Sequence, residues 1–111
     1  MKTLFAAAAV ALIAGVGAAS ALVLGGSDAQ KSEWLPKIAD GSVVGALAVD
    51  EGPHHAPEKV ALAATKSGAG YSLSGTKTFV IEGLAANLLV VSARTSGKPG
   101  DKDGITLFLV P

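Results

Sequence analysis

A mainly β fold, an antiparallel barrel or sandwich led by an Ala-rich helix and a short amphipathic helix, is predicted from three features of this 111-residue sequence. Short apolar runs of strand length recur after residue 41, Gly-, Pro- and Ser-containing turns separate them, and an uncharged Ala-rich run precedes them. With 50% hydrophobic and 16% charged residues, the chain has enough apolar surface for a core and enough length for one domain or part of one.

Nothing between Thr3 and Ser27 is charged, and Leu4 to Leu24 is an Ala, Val and Leu run interrupted by Gly15, Gly17 and Ser20. It reads as a buried helix whose small side chains allow close approach, or as a secretory signal with Lys2 as its basic start and Ala19-Ser20-Ala21 as its cleavage-like end. A membrane span ranks behind both, because Ala and Gly make lipid transfer weak. Ser27 caps a second helix, with Asp28 in the first turn, Gln30 at capping-box spacing, and Pro36 after Trp34-Leu35 ending or bending it. Gly41-Ser42 punctuates, and Val43 to Val49 has no helical polar face, so it reads as a strand buried on both sides. Asp50 to Pro57 is a loop. Val60 to Lys66 and Tyr71 to Ser74 make a hairpin on Ser67-Gly68-Ala69-Gly70. Lys77 to Ile81, Leu88 to Ala93 and Ile105 to Val110 read as further strands, with a polar loop over Ser96 to Gly104. The last strand then stands at an edge with no closing element, so the domain is expected to be incomplete.

Nine Lys plus Arg balance nine Asp plus Glu, which removes the electrostatic basis for nucleic-acid or anionic-membrane binding. Without Cys there is no disulfide, thiolate zinc site or cysteine nucleophile, and adjacent His54 and His55 diverge on their loop without a third ligand, so no metal site is expected. Gly68-Ala69-Gly70 leads into a strand rather than a helix and is a turn, not a phosphate cradle. Lys98 to Gly104 alternates charge but lacks the acidic count of a calcium loop, and reads as a solvated connector.

Gly26-Ser27-Asp28-Ala29-Gln30-Lys31 is followed by Trp34-Leu35-Pro36-Lys37-Ile38-Ala39-Asp40-Gly41 and by Gly45-Ala46-Leu47-Ala48-Val49-Asp50-Glu51. Gly70-Tyr71-Ser72-Leu73-Ser74-Gly75-Thr76-Lys77-Thr78-Phe79-Val80 leads to Gly83, Ala86-Asn87, Val90-Val91 and Ala93-Arg94-Thr95. In that order and spacing, from about Leu24 to Pro111, these passages resemble the acyl-CoA dehydrogenase family. The resemblance favours the buried helix over the signal. It implies that residues 1–40 are the tail of an N-terminal helical domain and residues 41–111 part of a middle β-domain. In the family, FAD lies between that β-domain and a C-terminal four-helix domain, and an acyl-CoA substrate is dehydrogenated at its α,β bond. Electrons pass to an electron-transfer flavoprotein, and the enzyme is oligomeric. A cytoplasmic location is implied.

By position the resemblance puts Val49, Asp50, Phe79 and Ile81 at the flavin, and Ala56 where a serine helps hold the acyl thioester. It assigns no catalytic residue here, because the family's base comes from its C-terminal part, so a fragment inactive on its own is expected. Asp50 and Ile81 stand where Thr or Ser is usual, and a free carboxylate beside a reduced flavin would be repelled. Gly52 to Pro57 departs from the family's Pro-x-x-Gly-Ser-Asp, and Glu51 reads as a structural hydrogen-bond partner. Two further readings are a small exported β-rich binding or structural protein that begins near Leu22, and a truncated product whose fold is not stably populated.

Overall fold

The computed structural model describes residues 2–6, 17–81 and 83–111. Helix α1, Gly17–Gly25, has Ala18, Ala21 and Leu22 buried against Leu88, Val90, Leu107 and Leu109. Its small residues permit near contact: a Cβ placed on Gly45 would lie 2.7 Å from that of Ala18. Over these residues the run is a buried helix, and the cleavage-like Ala19-Ser20-Ala21 lies inside it with Ala21 in the core. The earlier part of the run differs from the helical expectation, because Lys2–Ala6 form a strand, β1. Residues 7–16 lie outside the described residues. Among those described, no helix is long and apolar enough to cross a membrane.

Helix α2, Asp28–Ala39, opens on the expected capping box: the Ser27 hydroxyl accepts from the Gln30 amide at 3.2 Å and the Gln30 side chain accepts from the Ser27 amide at 2.9 Å. It runs through Pro36 instead of stopping there, and closes with the Asp40 amide on the Pro36 carbonyl and a left-handed Gly41 (φ 82°). Trp34, Leu35 and Ile38 pack beside the α1 core.

Strands β2 (Gly45–Ala48), β3 (Ala63–Ser67), β4 (Gly70–Ser74), β5 (Leu88–Arg94) and β6 (Ile105–Val110) complete a six-stranded sheet in the order β1-β6-β5-β3-β4, with β2 also on β5. The mainly β fold and its two leading helices stand, but the sheet is open and mixed where an antiparallel barrel or sandwich was expected. Both β2 and β3 run parallel to β5. Period-two patterning marks a strand without fixing its direction, and here the β3–β4 hairpin sits within the crossover from β2 to β5. Strand β6 is not an edge either, because β1 pairs with it, Lys2 opposite Leu109.

Residues on β5 alternate between two cores. Leu88 and Val90 meet α1, while Val91 and Ala93 join Ala48, Leu62 and Phe108 on the opposite face. Tyr71 of β4 packs edge-on against Phe108 with centroids 5.0 Å apart, holding the hairpin to that second core. One edge of β5 is shared end to end: β2 covers Leu88 to Val91 and β3 reaches only Arg94. The site is built in that division.

Candidate functional site

Where β2 ends, the chain turns away from β5 and a second segment comes in to meet it. The Thr78 amide donates to the Asp50 carbonyl at 2.7 Å, and the Thr78 hydroxyl reaches the Gly52 carbonyl at 3.2 Å. Lys77 to Ile81 is therefore not the strand its sequence predicts. Its first side chain turns inward, its second residue bonds to a loop, and Phe79 takes a left-handed backbone (φ 51°) that interrupts any ladder.

The Lys77 side chain is 6% exposed, and its ammonium donates to the Val49 carbonyl at 3.0 Å, Glu51 Oε2 at 2.7 Å and Ser92 Oγ at 3.0 Å. Glu51 also accepts from the Ala61 amide at 2.9 Å and the Leu62 amide at 3.2 Å, the structural role expected of it. Burial opposes the Glu51 charge, but the Lys77 hydrogen bond, the two amides and the lysine charge outweigh it and hold the carboxyl below its ordinary value. Lys77 is the more deeply buried partner, and desolvation pulls it below the usual lysine value against the opposing pull of Glu51 and Asp50.

Asp50 is tied rather than free. Both its carboxylate oxygens lie 3.0 Å from His55 Nδ1, and Oδ1 accepts from the Ala56 amide at 3.2 Å. The structure thus joins Val49, Asp50, Ala56 and the start of the Phe79 segment in one loop cluster. Ile81 lies two residues beyond Phe79; they are 56% and 76% exposed, while Val80 between them packs on the second core. The amides of Phe79, Val80 and Ile81 reach no carbonyl among the described residues.

In the sequence, Lys77 and Arg94 are legible only as positions of the family resemblance, and neither is recognisable there as an anchor. The Arg94 guanidinium is buried and donates to the carbonyls of Val60 (2.8 Å), Glu58 (2.9 Å), Asp103 (2.9 Å) and Asp101 (3.1 Å). The loop read as a solvated connector therefore turns part of its main chain inward, with Arg94 as the cation its carbonyls receive. The one available signal was a charge ending the apolar run of β5. Among the described residues no group of three or more His, Asp or Glu could hold a metal ion.

No protein-family model matches the chain. It is 43% identical over 91 residues to the mitochondrial isovaleryl-CoA dehydrogenase of Arabidopsis thaliana, a match covering 80% of this chain and 22% of that enzyme. The acyl-CoA dehydrogenase of Geobacillus kaustophilus superposes with a TM-score of 0.72 at 33% identity, over 80% of this chain and 24% of that one. Glutaryl-CoA dehydrogenase of Mycobacterium smegmatis, solved in complex with FADH2, gives a TM-score of 0.66 at 35% identity, over 77% and 21% of the two chains. The chain spans about a fifth of the length of the relatives it matches. Over that shared length, in sequence and in fold, it belongs to the acyl-CoA dehydrogenase family.

Proposed function

We propose that this chain forms part of the flavin-facing wall of an acyl-CoA dehydrogenase, with residues 1–40 as the tail of its helical domain and residues 41–111 as part of its middle β-domain. The observation that carries this reading is the 2.7 Å bond from the Thr78 amide to the Asp50 carbonyl. It sets beside the end of β2 an exposed aromatic ring and a row of amides that reach no carbonyl among the described residues, and that combination fits the flat face and acceptor-rich edge of an isoalloxazine.

When bound, FAD supplies a hydride acceptor for α,β-dehydrogenation of an acyl-CoA thioester. Phe79 and Ile81 would keep water from one face of the bound ring, and the amides of residues 79–81 would serve as hydrogen-bond donors to its edge. Val49 and Asp50 line the same wall. The Asp50 carboxylate lies against the His55 ring and accepts from the Ala56 amide, contacts that hold its side chain within the 50–56 loop. Ala56, which on this reading faces the thioester, has its amide committed to Asp50 and its carbonyl to Lys59, and would offer its methyl group. The rest of the enzyme supplies the carboxylate base and the other wall. On this reading the partners are acyl-CoA, an electron-transfer flavoprotein and further subunits, in the cytoplasm.

Titrating FAD with the 111-residue chain tests the reading. Saturable quenching of flavin fluorescence is expected, weakened about tenfold by Phe79→Ala, the scale of losing one well-packed aromatic contact. A folded chain that leaves FAD fluorescence unchanged at millimolar protein would overturn it.

A further inference from the structure

Opposite the divided edge of β5, Ala48 is the last residue of β2 to pair, with Val91, and Ala63 alone of β3 pairs, with Arg94. Among the described residues, Ser92 and Ala93 have no strand partner on that side. The Lys77 ammonium joins the pieces around this gap, because its acceptors belong to the residue just after β2 (Val49), the turn beyond it (Glu51) and β5 itself (Ser92). Glu51 extends the link to the Ala61 and Leu62 amides, just before β3 begins.

Filling space does not call for a charge here. A well-packed apolar residue often gives equal or greater stability than a buried ion pair. What a fully bonded ammonium adds is direction: acceptors from separate elements fix where residue 77 sits. The residues after it need that, since Thr78 to Ile81 have no ladder of their own and Phe79 holds a left-handed backbone that a non-glycine residue adopts at a cost.

We propose that Lys77 is a positioning residue for the flavin edge: without touching ligand, it sets through Thr78 the direction of the amides of residues 79–81 and of the Phe79 ring. The proposal rests on the flavin reading given above. Lys77→Met, Lys77→Arg and Ser92→Ala variants of the 111-residue chain test it by two independent readouts, amide resonances of the ligand-free chain and FAD affinity. Lys77→Met is expected to move the Thr78 to Ile81 resonances while the β5–β6 amides stay protected, and to weaken FAD binding about tenfold, with Lys77→Arg recovering much of the loss because charge and donors remain. Should Lys77→Met fail to fold, Ser92→Ala, which removes a single acceptor, is expected to shift the same resonances and weaken FAD about threefold. Folded variants with unmoved 78–81 resonances and unchanged FAD affinity would overturn the proposal. A wild-type chain that ignores FAD overturns the flavin reading alone, and the amide resonances then still decide whether Lys77 places the segment.

Discussion

At the scale of single residues, two buried cations organise the chain in different ways. Lys77 is matched by a carboxylate, Arg94 by carbonyl dipoles. The Glu51 carboxyl is held below its ordinary value of 4.5, so its contribution to stability is complete above that pH and is lost as pH falls through the folded-state value. Glu51→Gln leaves a buried ammonium without its counter-charge and is expected to cost about 2–4 kcal/mol at neutral pH. It should also flatten the acid limb, so that urea midpoints measured from pH 6 to pH 3 fall less in the variant than in the parent. Arg94→Lys keeps the charge but gives up the planar fork that reaches carbonyls of both the 58–60 and 101–103 segments. A loss of about 2–4 kcal/mol is expected, with faster hydrogen exchange at Gly100, whose amide bonds to the Glu58 carbonyl across the same cage.

At the scale of elements, the close seating of α1 on β2 depends on the absence of a side chain at Gly45. Adding one methyl there would bring it to 2.7 Å from the Ala18 Cβ. Gly45→Ala is therefore expected to destabilise the chain by about 1–3 kcal/mol, read as a lower urea midpoint; an unchanged midpoint would mean that α1 stands further from the sheet. Elements whose cause is local were legible in the sequence. The Ser27–Gln30 capping box starts α2 as its spacing predicts, and Gly68-Ala69 turns β3 into β4. What depended on distant partners was not legible. Nothing near Leu88 reveals that its strand lies parallel to β2, and the alternation of Lys77 to Ile81 looks like a strand until Thr78 finds a carbonyl 28 residues away. The loop over Asp50 to Pro57 was legible from its Gly and Pro residues, whereas the commitment of the Asp50 carboxylate to His55 required the fold of the 50–56 loop. Arg94 was illegible for the same reason, since carbonyls carry no sequence signature.

At the scale of the whole molecule, apolar surface is unevenly disposed. Both faces of the sheet carry cores, yet the segment after the hairpin leaves Phe79 at 76%, Ile81 at 56% and Leu84 fully exposed. Val80 anchors that segment to the second core, so the outward residues contribute little to folding and much to what the surface attracts. Leu84 separates these effects, because it belongs neither to the core nor to the wall assigned to the flavin. Leu84→Lys should leave the urea midpoint within about 0.5 kcal/mol of the parent, as expected for a side chain with no buried contact to lose. It should also reduce concentration-dependent association in sedimentation, since it breaks the apolar stretch and moves the net charge from zero to positive. A clear drop in stability would instead mean that Leu84 packs against the fold, and that the apolar segment is part of this chain's own core.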